Sequence, residues 1–201
     1  MTNIKDNLAA VELQILQACH QASRPRSEIS LLAVSKTKPQ ALVEQAYHAG
    51  QRAFGESYVQ EGIEKIAGMQ GFTDINWHFI GPIQSNKTRQ IAENFSWVQS
   101  VDRVKIAKRL NEHRSTQDTP LNVCLQVNIS NEESKSGVCP NELPVLASYI
   151  NNCENLCLRG LMAIPQKNAT LDTFLQMKKL FNELKSQYPQ LDTLSMGMSG
   201  D

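Results

Sequence analysis

Long apolar runs are absent from this sequence, and no stretch approaches the roughly 20 residues that a membrane-crossing helix requires. The opening Met1-Thr2-Asn3-Ile4-Lys5-Asp6 likewise lacks the apolar core of a secretory signal. An excess of one charge sign is absent too. Twenty basic side chains cancel 20 acidic ones, so no global field favours nucleic acid or an anionic membrane. A local anion site, which needs only a few aimed N–H groups, stays open. No Gly/Ser linker, low-complexity segment or composition break interrupts the 201 residues, which argues for a single domain over 1–201, long enough to bury a core. Cysteine is sparse and odd in number, with Cys19, Cys124, Cys139, Cys153 and Cys157 at no framework spacing. That pattern predicts a reduced, cytoplasmic, soluble protein. Cys153 and Cys157 stand four apart, but nothing nearby supplies two further metal ligands, and packed apolar cysteines are the better account.

What is present is alternation. Short runs rich in branched and aromatic residues fall at 29–35, 52–54, 76–80, 97–100, 121–129, 157–162 and 192–196, and read as strands. Helical patterns near 39–49, 57–69, 84–94, 102–114, 140–152 and 170–187 lie between them. An extra amphipathic helix precedes the first strand, with Ile4, Leu8, Val11, Ile15 and Ala18 on one stripe. Pro39 marks a helix start, Asp102 is placed to cap another, and Gly50 follows the end of an earlier one. Repeated strand–helix units imply a parallel sheet with right-handed crossovers. Steady alternation, with no Gly-rich dinucleotide turn after the first strand, favours a TIM-type α/β barrel over an open doubly wound sheet. Eight such units would continue past Ser195-Met196-Gly197-Met198-Ser199-Gly200-Asp201. The last strand–helix unit is therefore expected to be missing and the chain to be cut short, because an open parallel barrel leaves two unpaired edges.

In such a barrel the carboxyl ends of the strands converge on one ligand-binding mouth. The run Ile29-Ser30-Leu31-Leu32-Ala33-Val34-Ser35 delivers Lys36 to that position. Lysine is the side chain whose amine, once neutral, forms a Schiff base with an aldehyde. By position alone the commoner reading is a lysine opening a solvated turn. A partly apolar strand end would disfavour the ammonium and make Lys36 more nucleophilic, and Lys38 would share its face if the strand continued. His78 alternates with Ile80, a pattern more often seen for a hydrogen-bonded core histidine than for a base. Asn86-Lys87-Thr88-Arg89 reads as a solvated basic helix start. Gly197 and Ser199 form either an ordinary loop or a phosphate cradle, in which glycine admits the backbone and a hydroxyl donates. A Schiff-base lysine opposite a phosphate cradle is what an aldehyde-bearing phosphate ester would need.

Six segments in order carry a resemblance. They are Leu32-Ala33-Val34-Ser35-Lys36-Thr37-Lys38-Pro39, then Phe54-Gly55-Glu56-Ser57-Tyr58-Val59-Gln60-Glu61, then Trp77-His78-Phe79-Ile80-Gly81-Pro82-Ile83-Gln84-Ser85-Asn86-Lys87. Val127-Asn128-Ile129-Ser130 with Ser134-Lys135-Ser136-Gly137, Arg159-Gly160-Leu161-Met162-Ala163-Ile164-Pro165 and Leu194-Ser195-Met196-Gly197-Met198-Ser199 complete the set. From about residue 30 onward the chain resembles the pyridoxal phosphate homeostasis proteins. The resemblance implies a barrel similar to the amino-terminal domain of alanine racemase, with pyridoxal 5'-phosphate held as a Schiff base on Lys36. It places Ser199 at the phosphate and Ser57, His78 and Met162 around the ring. It further implies a carrier or regulator of vitamin B6 balance rather than an enzyme with robust turnover. Apoenzymes that take up the cofactor are candidate partners, and a monomer is expected.

Gly55-Glu56-Ser57 stands where the family commonly has Gly-Glu-Asn, and the chain ends ahead of the family's eighth strand, with its pyridine-side arginine and Gly-Thr pair. Two other readings use the same lysine. One is a pyridoxal-phosphate enzyme such as an amino-acid racemase, which also needs a second acid/base and a closing domain. The other is a cofactor-free aldolase-like barrel forming its Schiff base with a sugar phosphate.

Overall fold

The computed structural model describes residues 3–129, 136–165 and 170–197. Its contacts divide the chain into two compact units, Met1–Trp77 and His78–Asp201.

The first unit opens with α1 (Ile4–Gln21), whose cap residue Asn3 accepts the Lys5 N–H on Oδ1 at 3.1 Å. Ile4, Leu8, Val11 and Ile15 are half-buried as the stripe requires, but Ala18 is exposed and Cys19 is buried in its stead. A four-residue step from Ile15 suits a 3.6-residue turn as well as a three-residue one, and the larger side chain takes the inner place. This stripe meets α2 (Gln40–His48), after which Gly50 turns the chain at φ 103°.

Strand β1 (Ala33–Val34) pairs in parallel with β2 (Ala53–Glu56), Ala33 opposite Phe54 and Val34 opposite Gly55. The run at 29–35 promised a longer, buried strand. Instead the Ile29 carbonyl accepts from the Arg26 guanidinium and the Leu31 carbonyl from Gln51 Nε2 at 2.8 Å, so side chains satisfy acceptors that a neighbouring strand would have used. Conversely β2 extends past the expected 54 to Glu56, and that extension takes a carboxylate into the interior. Helix α3 (Val59–Gly68) packs on β2.

In the second unit β3 (Asn76–Phe79, begun at the end of the first), β4 (Trp97–Val101), β5 (Leu121–Gln126), β6 (Leu156–Met162) and β7 (Thr193–Ser195) pair in chain order and all in parallel. Helices α4 (Thr88–Asn94), α5 (Val104–Arg114), α6 (Leu143–Asn151) and α7 (Leu171–Gln187) separate them. Phe79, Val98, Val123, Leu125 and Leu161 from the strands and Ile106, Leu110, Ile150 and Met177 from the helices form the core. Helix α4 starts later than the expected 84 because residues 84–87 form a turn, closed by the Lys87 N–H on the Gln84 carbonyl at 2.9 Å. Asp102 does not cap α5: Arg103 holds the cap position, and the Asp102 carboxylate binds the Arg103 guanidinium at 2.6 Å. At Gly160 (φ 156°) a Cβ would lie 1.8 Å from the Thr193 carbonyl, so only glycine lets β7 come this close to β6.

Candidate functional site

At the carboxyl end of β1 the chain turns at once. The Ser35 N–H donates to the Gly55 carbonyl at 2.9 Å, and the Lys38 N–H returns to the Ser35 carbonyl at 3.0 Å. Thr37, inside this turn, has φ 61°, a left-handed conformation that a β-branched residue adopts only under constraint. Lys36 projects from the turn with its side chain exposed, and among the described residues its amine has no ion-pair or hydrogen-bond partner. The structure therefore corrects the buried strand end read from sequence: Ser35 is buried, Lys36 is not. Ser57 follows the end of the neighbouring strand β2 and is half-buried, so both predicted residues of this unit leave the carboxyl end of the β1–β2 pair.

Beneath the turn lies a cluster that sequence reasoning missed. Lys65 on α3 donates from Nζ to the Ser35 carbonyl at 2.6 Å, to Glu56 Oε1 at 2.7 Å and to Glu61 Oε1 at 2.7 Å. Ser35 Oγ donates to Glu56 Oε1 at 2.7 Å, and the Thr37 N–H donates to Glu61 Oε1 at 2.6 Å. Glu56 is 0% exposed and Lys65 6%, and Glu56 Oε2 is buried with no partner among the described residues. The four-residue step from Glu61 to Lys65 within a helical pattern was the legible signal. Two lysines near one strand end thus differ in kind: Lys65 has its donors engaged, and Lys36 has no partner among the described residues.

The second unit places the other predicted residues. His78 is buried, lies against Trp97 with ring centroids 5.1 Å apart and planes 19° off parallel, and has Nδ1 3.0 Å from Gln99 Nε2. Ser195 Oγ donates to Gln99 Oε1 at 2.7 Å. That bond leaves the amide nitrogen of Gln99 to donate to His78 Nδ1, which assigns the ring proton to Nε2. Burial lowers the imidazole pKa to about 4, so the ring is neutral at pH 7. Met162 ends β6, is buried, and lies in register with Ser195 on one side and Gln126 on the other. The structure thus links His78 to Ser195 through Gln99 and sets Met162 beside Ser195. The bland reading of His78 as a hydrogen-bonded core histidine holds for its Nδ1. Ser199, assigned to the phosphate, lies outside the described residues, as do Ser130, Ser134 and Lys135.

Comparison with known proteins follows the same lines. The sequence matches the family described as alanine racemase, N-terminal domain, over residues 7–201. A pyridoxal phosphate homeostasis protein of Pasteurella multocida is 56% identical, the match covering 98% of this chain and 88% of the relative. The solved structure of PipY from Synechococcus elongatus with pyridoxal phosphate bound is 35% identical, with a TM-score of 0.82 over 98% of this chain and 90% of that one. Alanine racemase of Clostridium difficile, at 13% identity and a TM-score of 0.74 over 98% of this chain and 51% of that one, shares the fold. The architecture is accordingly the TIM-type barrel expected from the alternation of strands and helices.

Proposed function

This chain belongs to the alanine racemase N-terminal-domain family, and from that premise we propose that it binds pyridoxal 5'-phosphate and serves its intracellular homeostasis, with Lys36 as the covalent anchor. The observation that carries the reading is the exposed amine of Lys36, without a partner among the described residues, on a turn whose backbone is bonded on both sides. The residues present fit the group. An uncommitted amine suits an aldehyde, and the buried, neutral His78 suits an aromatic ring better than a charged one would. When bound, the cofactor supplies an electrophilic aldehyde carbon. Lys36 would hold the group through that carbon, its amine being the nucleophile the aldehyde requires. By their match to the family's motifs, Ser57, His78 and Met162 would line the ring and Ser199 would hold the phosphate.

The protein acts as a carrier and does not turn over a substrate. Relatives named for homeostasis rather than for a reaction support this reading. Its partners are the cofactor and the apoenzymes that receive it, without nucleic acid or membrane. The described helices include none long and apolar enough to cross a bilayer. It works as a monomer in the cytoplasm, a reducing compartment that suits five free cysteines.

Titration with pyridoxal 5'-phosphate, followed by visible absorption, tests the reading. Parent protein gains a saturable band and Lys36→Ala does not, while its far-UV dichroism stays unchanged; an equal band in Lys36→Ala rejects the assignment. Ser199→Ala should weaken the phosphate ester more than unphosphorylated pyridoxal, and equal losses would remove Ser199 from the phosphate site.

A further inference from the structure

The buried cluster of Glu56, Lys65 and Glu61 is poorly explained by stability alone. A buried ion pair stabilises a fold no better than well-packed apolar residues of similar volume, and here Glu56 Oε2 has no partner among the described residues. What the cluster does hold is one short piece of backbone. Lys65 Nζ binds the Ser35 carbonyl, Glu56 Oε1 takes the Ser35 hydroxyl, and Glu61 Oε1 takes the Thr37 N–H. Lys65 in turn binds both carboxylates, so these bonds form one connected unit. They close on the residues immediately before and after Lys36 and on no atom of its side chain. Thr37 has φ 61°, a conformation that local preference opposes and that fixed partners must maintain.

From this we propose that Glu61, Lys65 and Glu56 are positioning residues for Lys36: they clamp the Ser35–Thr37 backbone so that the amine is presented in one direction while remaining free to react. The inference rests on Lys36 being the cofactor anchor. Its physical basis is preorganisation. A nucleophile already aimed loses little freedom when the bond forms, whereas one on a loose turn must be ordered at that moment. The clamp therefore affects ligands that bond to the amine and spares those that only fill the site.

Lys65→Met risks the fold, because it strands two carboxylates. Glu61 is the better probe, since its side chain is 27% exposed and Lys65 keeps Glu56 and the Ser35 carbonyl without it. Two readouts are taken on the parent, Glu61→Ala and Glu61→Gln. The first is amide hydrogen exchange of Thr37 in ligand-free protein. The second is the dissociation constant for pyridoxal 5'-phosphate against that for pyridoxine 5'-phosphate, which has an alcohol in place of the aldehyde. In Glu61→Ala we expect Thr37 exchange to rise at least tenfold. Affinity for the aldehyde should fall at least fivefold, and affinity for the alcohol should move by less than twofold. Glu61→Gln keeps an oxygen for the Thr37 N–H and recovers most of both losses. Equal losses for the two esters, or no loss for either, overturns the positioning role. Parent protein that never labels at Lys36 overturns the anchor assignment instead, and this inference with it.

Discussion

Lys65 Nζ lies 2.6 Å from the carbonyl oxygen of Ser35 and so grips the peptide directly ahead of Lys36. Lys65 is buried and engaged, whereas Lys36 is exposed and has no partner among the described residues. The local sequence explains how. Strand β2 runs on to Glu56, helix α3 begins three residues later, and Glu61 and Lys65 on successive turns of α3 come back under the β1 end.

The first consequence concerns stability. Replacing Lys65 with Met leaves Glu56 buried without a counter-charge, which should cost about 3–5 kcal/mol. Glu56→Met combined with Lys65→Met removes the stranded charge and should recover a large part of the loss. Urea unfolding midpoints of the parent, the single and the double variant measure both; a double variant no more stable than the single contradicts the argument.

His78 predicts an acid limb. Its pKa is near 4 when folded and about 6.5 when exposed, so between those values the unfolded chain binds the extra proton. The stabilising contribution is fully present above pH 6.5 and is lost as pH falls toward 4, on the order of 3 kcal/mol in all. Denaturation at pH 7.5, 5.5 and 4.5 should show a flatter profile for His78→Asn than for the parent. Parallel profiles would show that His78 does not titrate in this window.

Gly160→Ala tests the β6–β7 contact. The new methyl would meet the Thr193 carbonyl, and forcing the strands apart should cost about 1–3 kcal/mol or more. Amide exchange in β7 should accelerate beyond what the global loss of stability produces. A melting temperature within a degree of the parent's would mean that β7 is held elsewhere.

Thr37 stores strain that another residue can relieve. Asparagine tolerates the left-handed region, so Thr37→Asn should stabilise the protein by up to about 1 kcal/mol while keeping the Glu61 bond to its N–H. Loss of stability in thermal melts would show instead that the threonine side chain contributes contacts outweighing the strain.

The barrel class and, among the described residues, the seven strands and seven α-helices were legible because apolar runs and 3.6-residue patterns alternate without interruption. Strand β1 was overread for a physical reason. Its apolar run looks like a buried strand, yet side chains of Arg26 and Gln51 satisfy the carbonyls that would have joined a ladder. Asp102 was misread as a cap because the sequence does not show that the helix starts one residue later and that Arg103 engages the carboxylate. Lys36 was found from its place after a strand, although its environment is more exposed than the run implied. The Glu56 cluster stayed hidden because its meaning depends on three elements meeting. Glu56 and Glu61 sat inside a segment already noted, but burial, which makes them unusual, is a property of packing.

The most direct test of the account is chemical. The protein is treated with pyridoxal 5'-phosphate, reduced with borohydride, digested and mapped by mass. The account predicts the reduced pyridoxyl group on Lys36, stoichiometric and blocked by excess unlabelled cofactor analogue. Label on Lys38, on Lys65 or spread over surface lysines would contradict it.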